Sequence, residues 1–145
     1  MGLICNCRVV VDGLSKDNNV KFAGVKCKIK GDLQYMANAC DNNLSASFLT
    51  LHFTDRSGNA VNRSFEFVAR TITSVECREI CQNCEVTVTG TGTVGENIYP
   101  FVAVFRDQVA TSNKDTVQSF VITRFFDQNG PATVPQGSIV AVGCV

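Results

Sequence analysis

The sequence has no tryptophan, one histidine, three prolines and no excess of charge of either sign, with 13 basic side chains against 13 acidic ones. Each absence excludes something. A chain without net charge has no long-range field to draw it to a polyanion, so no nucleic-acid partner is expected. The one basic stretch, Lys26, Lys28 and Lys30, alternates with Val25, Cys27 and Ile29 as the wet face of a strand would. The single histidine, His52, lies inside an alternating run. Asp12, Asp17, Asp32, Asp41, Asp55, Asp107, Asp115 and Asp127 sit mostly beside turn residues, without a recognisable nucleophile elbow. No catalytic residue, enzyme activity or cofactor is therefore expected. Without tryptophan the chain also lacks the Cys-Trp-Cys hallmark of antibody domains. No apolar run approaches the roughly 20 residues that a bilayer crossing needs, so no membrane insertion is expected. The segment from Met1 to Cys7 has neither the basic start nor the long apolar stretch of a secretory leader. Asn6 stands where myristoylation wants Ser or Thr. Synthesis in the cytoplasm, without a signal peptide, is the expectation.

What the sequence does have is cysteine, eight in 145 residues. In a short chain that density points to disulfides or to metal, while a missing leader points to a reducing compartment. Later oxidation outside the cell and a permanently reduced metal site both resolve the conflict. Three of the eight fall together in Cys77-x3-Cys81-x2-Cys84, between two regions of alternating pattern, and the segment reads as a hinge between two sheet-forming halves. Cys5 and Cys7 project to one side if their segment is extended. That suits a terminal connector reaching another subunit, or equally a first strand, Cys7 to Val11, closing onto its own sheet.

Strand signals are spread along the chain. Ser45 to Phe53 and Ser64 to Ile72 alternate and are separated by the turn residues Asp55 to Asn59. Tyr99 to Arg106 and Val117 to Phe126 form a similar pair, with Glu85 to Thr89 and Ser138 to Cys144 as further strands. From Val20 to Ile29 the apolar phase slips at Ala23-Gly24, the mark of a bulge, and puts Cys27 in the buried phase. Gly31 to Asn43 is poor in β-branched residues, and Leu33, Met36, Ala37 and Cys40 have helix-like spacing, so a short helix or irregular crossover is expected there. Asp12-Gly13 and Ser15 to Asn19 read as a turn-rich break. Gly90-Thr-Gly-Thr-Val-Gly95 lacks the spacing and the following helix of a nucleotide loop and reads as a turn. The sum predicts an all-β fold: an antiparallel β-sandwich, Greek-key or jelly-roll, with at most one short helix. Residues 1–10 form a tail or connector and 11–145 one sandwich domain.

The triplet spacing is that by which radical S-adenosylmethionine enzymes hold a four-iron cluster, but their helical βα barrels have no counterpart in this pattern. A closed zinc site made from the triplet with Cys40 or Cys5 is the better metal reading. Disulfides are the leading one, and it assigns no metal.

A short tail carrying Cys5-Asn-Cys7, ahead of an all-β domain and without a leader, resembles the subunits of bacterial endospore appendages. The resemblance implies a jelly-roll that stacks by sheet augmentation and a connector whose Cys5 and Cys7 bond to neighbouring subunits. Their partners would be among Cys27, Cys40, Cys77, Cys81, Cys84 and Cys144. It also implies release by a non-classical route and oxidation outside the cell or at the spore surface. The central triplet and a cysteine next to the C-terminus depart from that pattern. The reading that follows is a self-assembling structural protein forming a disulfide-stabilised filament or surface layer, with copies of itself as partners. Cys5, Cys7 and Cys144, near the chain ends, are its candidates for bonds between subunits. Cys27, Cys40, Cys77, Cys81 and Cys84 are candidates for bonds within the chain, or for metal ligands. The alternative is a β-sandwich module binding zinc, an iron-sulfur cluster or a small ligand.

Overall fold

The computed structural model describes residues 4–108 and 112–144; residues 1–3 of the expected tail lie outside the described residues. Alternating runs become long strands: β1 (Arg8–Phe22), β2 (Ile29–Cys40), β3 (Phe48–Asp55), β4 (Phe65–Ile80), β5 (Asn83–Val94), β6 (Asn97–Asp107) and β7 (Lys114–Ile122). Three short strands follow, β8 (Phe126–Asp127), β9 (Ala132–Pro135) and β10 (Ile139–Val142), and Leu44–Ala46 makes one 3-10 turn. β1 to β8 follow one another round the sheet in sequence order. β8 pairs with both β7 and β1, which closes an eight-stranded antiparallel barrel. β9 adds to β7 and β10 to β1.

The barrel corrects the expected sandwich and jelly-roll. Alternation is the same in both architectures, and strand length with bulges decides between them. Strands of 15 and 16 residues in β1 and β4 are long enough to coil round a shared interior. Register shifts between Ser15 and Asn18, Ala69 and Thr71, Ile72 and Ser74, and Val104 and Phe105 add the local bend that closure requires. The filament, pilus-like and spore-surface expectations go with the jelly-roll. A closed barrel has no long open edge to augment, and β9 and β10, four residues each, are short.

Other expectations change for local reasons. Gly31 to Asn43 is mostly strand β2, in which Leu33, Tyr35, Ala37 and Ala39 point inward and Gln34 and Met36 outward. The turn-rich break at 12–19 lies within β1, where the Asp32 carboxylate accepts the N–H of the left-handed Asp17 across a bulge. Gly90 and Gly92 are strand residues of β5, not a turn. A Cβ on Gly92 would meet the Phe67 ring at 2.4 Å, so glycine admits that ring to the interior. The slip at Ala23-Gly24 is a hairpin loop, 23–28, in which Gly24 has φ 76°, and Cys27 is exposed on it.

The interior is filled. Tyr35, Phe53, Phe67, Phe101, Phe105 and Phe120 are fully buried and meet mostly edge to face, as ring quadrupoles favour. Burial pushes the Tyr35 phenol well above its ordinary range. The phenol donates to Gln128 Oε1, while Gln128 Nε2 donates to the carbonyls of Val117 at 3.0 Å and Gly130 at 2.8 Å. Among the described residues no helix is long and apolar enough to cross a membrane.

The seam between β7 and β1 is bridged by only two residues of β8, and carboxylates do the rest. Asp115, wholly buried, accepts the N–H groups of Gln108 at 2.9 Å and of Gly137 and Ile139 at 3.0 Å each. Asp107 accepts the N–H of Ala141 at 2.9 Å. Burial pushes the Asp107 carboxyl up and the Ala141 N–H draws it down, while the charge of Asp115 adds to the rise. Asp115→Ala should strand three amide donors and cost about 3–5 kcal/mol. Urea unfolding checks the magnitude, and amide exchange at Gly137 and Ile139 should quicken selectively. A variant within about 0.5 kcal/mol of the parent would remove the carboxylate from the closure.

Candidate metal centre

Seven of the eight cysteines gather at one end of the barrel, where β1 begins and where β4 meets β5. The reason starts in a hairpin. Cys81 and Gln82 both have positive φ, 49° and 71°, the two-residue turn whose twist matches paired strands. The triplet is thus the tip of one hairpin rather than a hinge between halves. Glu79 faces Cys84 across the ladder and Cys77 lies two residues before Glu79, so Cys77 and Cys84 are diagonal neighbours on one face. Cys81, on the turn, is exposed and stands apart from them. The iron-cluster spacing therefore does not become a three-sulfur site.

The chain ends supply the rest. Cys7 precedes β1 and is buried, its N–H donating to Asp41 Oδ1 at 3.1 Å. Cys144 follows β10, which lies beside the start of β1. Gly143 makes the meeting of the two ends possible. It has φ 109°, and a Cβ there would lie 1.9 Å from the Asn6 carbonyl oxygen.

Three disulfides result: Cys5 with Cys40, Cys7 with Cys77, and Cys84 with Cys144, with Cα separations of 5.4, 5.7 and 5.5 Å. Closing loops of 35, 70 and 60 residues is worth on the order of 4 kcal/mol each in the chain-entropy picture. Cys5, Cys7 and Cys144, the candidates for bonds between subunits, are each bonded within their own chain. Of the five candidates for staples or ligands, Cys40, Cys77 and Cys84 are bonded, and Cys27 and Cys81 are free and exposed.

Two of these bonds share one place. The sulfurs of Cys77, Cys84 and Cys144 all lie within 4.8 Å of one another, half-buried, and Cys7 is bonded to Cys77. Three sulfurs thus form one cluster, and the fourth, that of Cys7, is bonded to one of its members. The sequence pointed to Cys77 and Cys84 but offered Cys81, with Cys40 or Cys5, in place of Cys7 and Cys144. A tetrahedral thiolate site with metal–sulfur bonds of about 2.3 Å has sulfurs about 3.8 Å apart, so both disulfides would have to open and their sulfurs spread before a cation could enter. A multi-iron cluster spreads its ligands round a larger inorganic core. Beside it, the buried Glu85 carboxylate accepts from Arg106 at 2.7 Å and from Arg78 at 3.2 Å, fixing β4, β5 and β6 together. His52 is exposed on the outer face of β3 and far along the sequence from any of these residues. Compared with family models, curated proteins and solved structures, the chain matches none.

The oxidised, folded protein should titrate two thiols with a disulfide reagent, those of Cys27 and Cys81. Gly143→Ala, which pushes the chain ends apart, should raise that count and lower the melting temperature by several degrees. An unchanged count and an unchanged melting point in this variant would mean that the close approach does not govern the pairing.

Proposed function

We propose that the protein is a β-barrel module that holds one thiophilic divalent cation, zinc, between Cys7, Cys77, Cys84 and Cys144 when these are reduced. The single observation behind this reading is the mutual approach of the Cys77, Cys84 and Cys144 sulfurs, with Cys7 joined to the first. Four thiolates make a closed set with no position left for a substrate, so the cation is structural and ties the chain ends to the β4–β5 hairpin. In oxidising surroundings the same four sulfurs are two disulfides. Each disulfide takes two electrons and two protons from a dithiol reductant, which becomes a disulfide in turn, and yields two thiols. The cation then displaces the thiol protons. One fold is held shut in both redox conditions.

Anaerobic protein reduced with a phosphine and given zinc should bind one equivalent by native mass spectrometry. Cys84→Ser should lose it, and Cys81→Ser should keep it. The zinc form should melt well above the reduced apo form, since affinity for the folded state adds to stability. Uptake below about a tenth of an equivalent, against the one expected for a closed site, would end the metal reading.

A further inference from the structure

The other end of the barrel, away from the cysteine cluster, carries a second feature of a different kind. The β1–β2 loop (23–28), the β3–β4 loop (56–64), the end of β5 and the turn between β7 and β8 surround a cavity of about 400 Å³. Its walls are apolar: Phe22, Phe65, Phe125 and Val94. The rings hold one another in place. Phe65 meets Phe125 edge to face at 4.9 Å and Phe22 at 5.8 Å, and Tyr99 stacks on Phe125 at 5.3 Å. The cavity is thus formed before anything enters it, and a ligand has little ordering cost to meet there.

The polar groups of this cavity have one sign of charge. Arg63 and Arg124 line it and no carboxylate does. Among the described residues the ion pairs use Arg56, Arg78 and Arg106, leaving the Arg63 and Arg124 guanidinium groups without one. Asp55 is the acid near Arg63, and it is already engaged. Burial pushes Asp55 up, but hydrogen bonds from Ser57 and the Arg63 N–H, with the Arg63 charge, bring it below its ordinary range. Arg124 is exposed, on a left-handed turn with φ 69°. Lys26 and Lys28 add positive charge on the neighbouring loop, and Glu96 on the β5–β6 turn is the nearby counterweight in sequence.

We infer that this end of the barrel is a binding site for a small amphipathic carboxylic acid, with its apolar body among the phenylalanines and its carboxylate on Arg63 and Arg124. A guanidinium fork matches a carboxylate in shape as well as charge, and two at the rim of an apolar cavity select one anionic head on a greasy body. The volume is near the low end for ligand sites, which favours a single ring or a short alkyl chain over a nucleotide or a long lipid. The site lies at the opposite end from the cysteine cluster and does not depend on the state of its sulfurs.

Decanoate, decanol and decylamine, titrated calorimetrically into the oxidised protein, separate charge from apolar burial. Decanoate should bind once per chain, with decanol about tenfold weaker and decylamine weaker still. Arg124→Gln should weaken decanoate about fivefold and the double variant with Arg63→Gln about twentyfold, while decanol binding stays unchanged. Both arginines are outside the packed interior, and unchanged circular dichroism checks the fold. Val94→Trp, which fills the cavity, should abolish binding of all three. No binding of decanoate, equal binding of the three probes, or full affinity in the double arginine variant would each overturn the assignment.

Discussion

An eight-stranded barrel exists only where its first and last strands meet, and here the meeting is narrow. β8 offers two residues to β1 and the same two to β7. Everything else at the seam substitutes for missing ladder. Asp115 and Asp107 accept amide donors of the 137–141 segment that a neighbouring strand would otherwise satisfy. Beyond them, sulfur fastens the chain ends to β2, β4 and β5. Backbone donors left without acceptors in a buried seam would each cost a large part of a marginal stability, so closure governs the fold.

The same constraint places the chemistry. A barrel whose ends must be tied brings Cys7 and Cys144 together, and a tight hairpin holds Cys77 and Cys84 side by side where those ends arrive. Neither pair alone makes a closed site. Together they bring Cys77, Cys84 and Cys144 into one half-buried cluster with the buried Cys7 bonded to it, at a point where fastening matters most to the fold. At the opposite end no disulfide fastens the loops, where Cys27 is free, and a phenylalanine cluster with two arginines outside any ion pair occupies the mouth instead. One end of the molecule thus secures it, and the other is shaped to receive a ligand.

Much of the sheet was legible in the sequence, because Leu49, Leu51 and Phe53, or Phe101, Ala103 and Phe105, alternate as buried faces do. β2 was not. Its inward residues Leu33, Tyr35, Ala37 and Ala39 have period two, but the lack of β-branched side chains and the spacing of Met36 and Cys40 imitate a helix. Pairing on both sides, with β1 and β3, overrode that propensity. The choice between sandwich and barrel turns on bulges and on a two-residue closing strand, which leave almost no trace in hydrophobic pattern. Of the cluster, Cys77 and Cys84 stand out by spacing. Their companions, at residues 7 and 144, are remote in sequence, and Gly143 was the one local sign of a close approach. The arginine-rimmed cavity draws on three separate loops and the end of β5, and nothing in the spacing of Arg63 and Arg124 links them.

The account rests on four particular sulfurs converging on one point, and X-ray absorption at the zinc edge measures that directly. On the reduced, zinc-loaded chain the first shell should be four sulfurs at about 2.3 Å, with Cys5→Ser leaving it unchanged and Cys7→Ser replacing one sulfur by a lighter atom. A shell containing nitrogen or oxygen in the parent chain, or one that ignores Cys7→Ser, would contradict it.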